Sequence, residues 1–184
     1  MAGEPIGMKG MGWYRLGVVF LVLLLAALVW GCVQRVDQGK WGWGRILVIN
    51  AKQPRTVSQV GFQHEGKHWA ITPSKPDHTL AAVFVTIRNE KSTLVSLMVD
   101  DKAAYLEDPR GNRWTPLDFT QARREVSEPV QPEGAYLPFL WGKLDIPQGY
   151  QVQGWMLFEV PKNADLYLFG WEQADPVRIR FKGP

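Results

Sequence analysis

The chain has 184 residues, 21 Lys and Arg against 18 Asp and Glu, and a single cysteine, Cys32. One cysteine excludes an intramolecular disulfide, so any folded body must hold together by packing alone. Seven bases but only two acids, Glu4 and Asp37, precede Val57, whereas fourteen bases face sixteen acids from there on. The basic excess therefore lies ahead of the body, and a nucleic-acid interface, which needs its cations on the folded surface, is not expected.

Residues 1–15 read as a short leading region carrying Lys9 and Arg15, followed by the uncharged apolar run Leu16 to Trp30. This is the layout of an export signal or a membrane anchor, assigned to residues 16–32. Two anchors fit. In the first, Val29-Trp30-Gly31-Cys32 resembles the bacterial lipobox, which implies that Cys32 is acylated and becomes the new N-terminus. Each buried acyl methylene contributes about 0.8 kcal/mol, so two or three chains hold firmly. In the second, nothing is cut. Leu16 to Gln34 is then nineteen uncharged residues, close to the roughly 20 that a helix needs to cross the hydrocarbon. Trp13 and Tyr14 would sit at one headgroup level and Trp30 at the other, and Cys32 would be a small apolar residue in a helix. Either way membrane lipid is the first expected partner, and the body is expected outside the cytoplasm.

Residues 33–56 read as a basic arm. Its Gly39-Lys40-Trp41-Gly42-Trp43-Gly44-Arg45 segment combines pliable glycines with two indoles among cations. Trp41 and Trp43 thus suit the bilayer interface. The arm is expected to act as a spacer with interfacial contact, or else to dock on a partner subunit.

From Val57 to Pro184 the pattern changes to strands with period-two alternation, punctuated by Pro, Gly, Asn and Asp. Val83, Val85 and Ile87 alternate with Phe84, Thr86 and Arg88. Val152, Met156, Phe158 and Val160 share one face of a long strand, and Trp155 and Leu157 the other. Near the end, Val177, Ile179 and Phe181 alternate with Arg178, Arg180 and Lys182, one buried face and one wet face. Further strands are expected at His68–Thr72, Leu94–Val99, Ala103–Glu107 and Leu166–Trp171. Asp108 to Asn112 reads as a hairpin turn, Pro147-Gln148-Gly149 as the turn before the long strand, and Leu117 to Glu128 as a weak helical candidate. Seven to nine short strands at this spacing predict an all-β antiparallel sandwich.

The strand ending Val85-Thr86-Ile87-Arg88-Asn89, the turn Asp108-Pro109-Arg110-Gly111, and Gly149 and Gly154 leading to Phe158-Glu159-Val160-Pro161 form an ordered set. It resembles the immunoglobulin-like domain of unknown function common in bacterial lipoproteins and secreted proteins. The resemblance covers Val57 to Phe181 and implies an exported immunoglobulin-like sandwich of seven or eight strands. It brings no catalytic residues. The chain departs from it in its many tryptophans and in Arg123-Arg124-Glu125, where a partner of its own is expected.

Candidate chemistry is sparse. His64 and His68 would share a face only in a helix, which Gly66 and the strand pattern oppose, and zinc needs three or four converging ligands including, here, His78. Asp100-Asp101 and Glu107-Asp108 flank turns and fall short of the six to eight oxygens of a calcium site. No Gly-x-Ser-x-Gly elbow, Walker loop or dinucleotide fingerprint occurs. No metal, cofactor or enzymatic activity is therefore expected. The domain holds Trp69, Trp114, Trp141, Trp155 and Trp171, more indoles than its core needs. If Trp155 and Trp171 share a solvent-facing strand face, they stack on sugar rings or receive a protein. The expected role is a non-catalytic interaction domain, an accessory or adaptor subunit at the bacterial cell envelope. The alternative is a glycan- or peptidoglycan-binding module.

Overall fold

Side-chain alternation decides which strands are buried on one face and which on both. The computed structural model describes residues 39–181. Its elements are β1 (Lys40–Trp43), β2 (Leu47–Ala51), β3 (Arg55–Val57), β4 (Val60–His64), β5 (Lys67–Ile71), β6 (His78–Asn89), β7 (Leu94–Val99), β8 (Ala104–Glu107) and β9 (Arg113–Trp114). A single helical turn, α1 (Phe119–Ala122), precedes β10 (Arg123–Val126), β11 (Gly142–Pro147), β12 (Gln151–Pro161), β13 (Leu168–Trp171) and β14 (Val177–Arg180). The all-β antiparallel sandwich expected from the alternation is what the chain forms.

The long strands β6 and β12 pair over their whole length, from Gln151 opposite Arg88 to Pro161 opposite His78. They carry apolar residues at almost every position because both of their faces are covered. On one face Val83, Val85, Ile87, Met156 and Phe158 pack against Val95, Leu97 and Val99 of β7, Leu106 of β8, Phe169 and Trp171 of β13 and Val177 and Ile179 of β14. This is the core between the two layers of the sandwich, the central sheet β1-β2-β6-β12 on one side and β11-β7 with β14-β13-β8-β9 on the other. On the opposite face Leu80, Ala82 and Leu157 pack under Val60, Phe62 and Ile71 of the small sheet β10-β5-β4. β14 has only one covered face, so Val177 and Ile179 are buried while Arg178 and Arg180 are exposed.

Three expectations are corrected. The body begins well before Val57: the segment read as an arm is, from Lys40, β1 and β2 of the central sheet, with Trp43 opposite Val48 and Ile49 opposite Ile87. Glycine spacing hides the strand, yet Leu47 to Ala51 is wholly buried. β3 then runs along the same edge of β6 as β2, with Thr56 opposite Ala81. The helical candidate Leu117–Glu128 keeps helix only at Phe119–Ala122, where Asp118 caps the turn through Thr120. Arg123–Val126 is instead strand β10, held on β5 with Glu125 opposite Trp69 and a 2.8 Å Lys67–Glu125 ion pair. The described residues also contain fourteen strands rather than seven to nine, because β1, β2, β3, β9 and β11 add to the two larger layers and β4 and β10 complete a small sheet with β5.

Asn89 ends β6 fully buried. Its side-chain amide donates to the carbonyls of Ser92 (2.7 Å) and Ile146 (2.8 Å) and its oxygen accepts from the Ser92 amide (3.0 Å). One side chain thus satisfies groups of two turns, which is why a polar residue is tolerated in so dry a place. The expected turns at Asp108–Asn112 and Pro147–Gly149 are both present, the first closed by the Asp108 carboxylate on the Arg110 and Asn112 amides at 2.9 Å.

Candidate functional site

The connection from Trp114 to Gly142 is long, and its backbone must satisfy itself somewhere. It does so along the free edge of β12: Leu117 donates to Leu157 (2.7 Å), Leu140 donates to Trp155 (2.9 Å), and Trp155 donates to Pro138 (2.8 Å). Two glycines permit this close approach. A Cβ on Gly154 would lie 2.8 Å from the Pro138 oxygen, and one on Gly61 would lie 2.0 Å from the Val130 oxygen. His68 Nδ1 and Glu133 Oε1, 2.5 Å apart, tie the same connection to β5.

Pinned this way, the connection and the small sheet enclose a cleft of about 660 Å³. This lies within the range of ligand and peptide-anchor pockets. Phe62 comes from β4, Phe119 from α1, and Leu137, Pro138 and Phe139 from the connection. Phe119 stacks on Phe139 with centroids 4.4 Å apart, and Phe62 meets Phe139 edge-on at 5.2 Å. The rings fix one another, so the floor is preformed. Leu137 is 40% exposed at its edge, an apolar side chain left facing solvent.

The polar rim consists of Gln63, His64, Thr120 and Arg123. The Arg123 guanidinium lies 4.4 Å above the Trp69 ring, a cation–π contact that holds it in place. Among the described residues no carboxylate lies within ion-pair distance of it, whereas Lys67 is neutralised by Glu125. Burial opposes ionisation of Asp118 beneath α1, but donors from Thr120 and Gln121 outweigh that and hold its carboxyl below the ordinary range. The cleft thus offers an apolar aromatic floor and one positioned cation.

The residues singled out from the sequence are scattered. Arg123 lines the cleft, while Arg124, its neighbour on β10, points out to solvent. Trp155 and Trp171 do not form a solvent-facing pair. Trp171 is 1% exposed in the sandwich core, its indole N–H donating to Gln173 at 2.8 Å, and Trp155 is half-buried edge-on to Tyr136 and Phe84. Trp41 and Trp43 project from β1, 44% and 70% exposed. Cys32, Trp13, Tyr14 and the apolar run lie outside the described residues. Sequence reasoning missed Phe62, Phe119, Leu137 and Phe139. The available signal was the unbroken apolar run Tyr136 to Trp141 within a loop otherwise rich in Pro, Gly and Glu.

A second cavity of about 390 Å³ contains Ser74, His78 and Glu159. Ser74 donates its hydroxyl to Glu159 at 2.8 Å, and His78 Nδ1 faces Asp77 at 2.9 Å. The serine and the histidine are thus each engaged by a different carboxylate. Burial opposes ionisation of Glu159, but donors from Ser74 and Lys75 outweigh it and lower its pKa. That carboxylate works as a loop clamp. No three His, Asp or Glu side chains among the described residues converge as a metal site.

Neither a family model nor a curated protein sequence matches the chain. Among solved structures, MPT63, a secreted protein from Mycobacterium tuberculosis, superposes with a TM-score of 0.40 at 11% identity, covering 70% of this chain and 78% of that one. That likeness is too loose to transfer a role, so the architecture stands on the chain's own strand pairings.

Proposed function

We propose that the chain is an exported, membrane-tethered, non-catalytic binding domain at the bacterial cell envelope, an accessory or adaptor subunit that receives a protein partner at the aromatic cleft. The preformed Phe62–Phe119–Phe139 floor with Leu137 at its edge carries this reading. A monomeric soluble surface has little reason to keep such apolar area concave and open, and buried aromatic anchors supply most of the energy of protein interfaces. The partner segment brings an apolar side chain for the floor and a carboxylate for Arg123, the rim cation held over Trp69. Tethering is supported by the apolar run Leu16 to Trp30 and by Cys32 at its end.

The test is capture from mild detergent with the full chain as bait. A stoichiometric protein partner is expected on the wild type and lost at least about tenfold, roughly 1.4 kcal/mol, on Leu137→Glu. The melting temperature should be unchanged because Leu137 is already 40% exposed. A partner retained equally by Leu137→Glu, or retention on cell-wall polysaccharide in its place, would overturn the reading.

A further inference from the structure

Three turns meet at one end of the sandwich. The Glu90 amide donates to Ile46 at 3.0 Å, joining the β6–β7 turn to the β1–β2 turn. The Asn89 amide donates to Tyr150 at 3.0 Å and the Gly149 amide donates to Asn89 at 2.7 Å, joining the β11–β12 turn to the β6–β7 turn. Backbone bonds therefore set these turns side by side. What they carry is unusual for solvent-facing turns: Trp43 is 70% exposed, Tyr150 68% and Leu94 53%, three of the six large exposed hydrophobic residues among those described. Arg45 and Lys91 are exposed beside them. The neighbouring acids are spent, since Glu90 is paired with Arg88 and Asp175 is buried against the Ile46 and Leu47 amides.

We infer that this end of the domain docks on the headgroups of an anionic phospholipid bilayer, a second and non-covalent membrane contact beside the N-terminal anchor. The inference rests on the tethering proposed above. Amphipathic rings ringed by cations match the headgroup region of a bilayer, where an indole or phenol has an apolar body to bury and a polar edge to keep wet. The exposed cations of the turns, Arg45 and Lys91, complement an anionic leaflet. The connection is short: only Val33 to Gln38 separate Cys32 from the first described residue, Gly39, a reach of roughly 25 Å when extended. β1 then delivers Trp43 at its far end. The aromatic cleft packs over Leu80 and Ala82, seven or more residues back along β6 from Asn89, which is roughly 25 Å at strand rise. Docking by the turns leaves the cleft turned away from the lipid and open to a partner.

The test uses the full chain labelled with fluorotryptophan, in nanodiscs of phosphatidylcholine with a phosphatidylglycerol minority, its Trp43 fluorine resonance assigned by Trp43→Phe. The expected result is loss of that resonance to a headgroup-level nitroxide lipid and its survival in a soluble gadolinium chelate. The double variant Arg45→Glu with Lys91→Glu should reverse both responses. A chain found in the nanodisc fraction whose Trp43 resonance is lost to gadolinium and spared by the lipid probe overturns docking and leaves the tether standing. That outcome would free this face for a protein partner. A full chain recovered outside the lipid fraction overturns the tether and the docking with it.

Discussion

Asp175 holds the β1–β2 turn, and removing it has a calculable cost. It is 3% exposed, and one oxygen, Oδ2, accepts from the Ile46 amide at 2.7 Å and the Leu47 amide at 3.0 Å. Gly44 leaves room for the carboxylate, since a Cβ there would lie 2.1 Å from Oδ2. A hydrogen bond to a charged group contributes about 1.5–3 kcal/mol, and a buried donor left unmade costs its desolvation. Asp175→Ala strands both amides, so the expected loss is about 3–5 kcal/mol, a large part of the 5–15 kcal/mol typical of a domain. At roughly 3 °C per kcal/mol that is a fall of about 10 °C in Tm. Asp175→Asn can keep an oxygen in place but loses the charge, and about 1–2 kcal/mol is expected. The pH dependence has a fixed sign. Burial disfavours the ionised form, but the amides of Leu47, Ile46 and Arg45 and the Arg45 charge outweigh it, so the folded-state pKa lies below its ordinary value. The carboxylate therefore contributes fully above the unfolded pKa of about 3.9, and its contribution fades as pH falls through the folded value. Melts of the full chain in mild detergent, followed by circular dichroism, should show the gap between wild type and Asp175→Asn closing below about pH 4. A loss under about 1 kcal/mol for Asp175→Ala, or a gap that does not change with pH, would refute the reasoning.

Asn89→Ala removes three hydrogen bonds at a fully buried site, and a loss of about 2–4 kcal/mol in urea unfolding is expected. Gly154→Ala pushes a methyl against the Pro138 oxygen and the Leu140 amide. It should cost about 1–3 kcal/mol in the same assay and should also weaken partner capture, because it displaces the segment that carries Leu137 and Phe139.

The strands that announced themselves were those with a regular alternation over several residues. Val83, Val85 and Ile87 on β6 and Val177, Ile179 and Phe181 near the end gave their buried faces directly. The opposite faces of β6 and β12 were only half legible, since a second apolar set such as Leu80, Ala82 and Leu157 does not say what covers it. β1 was illegible for a chemical reason: its inward position, Gly42, has no side chain to mark a buried face, so Lys-Trp-Gly-Trp read as spacer. One indole went against expectation: Trp171 found a carbonyl for its N–H and went into the core, while Trp43 is exposed at a turn. The cleft was hidden because its walls are distant in sequence, Phe62, Phe119 and Phe139 being brought together only by β4–β5 pairing and the return of the connection along β12. Arg123 was found because charge breaks an otherwise unremarked stretch, but its role beside Trp69 needed the pairing of β10 with β5.

The most direct test is photo-cross-linking in intact cells, with benzoylphenylalanine in place of Leu137 and, as control, in place of Arg110, which is exposed in the Asp108–Asn112 turn. A single discrete protein adduct from position 137 in the membrane fraction, absent from position 110, is the predicted result. Adducts of equal yield from both positions, or a chain that yields adducts only in the cytosolic fraction, would contradict the account.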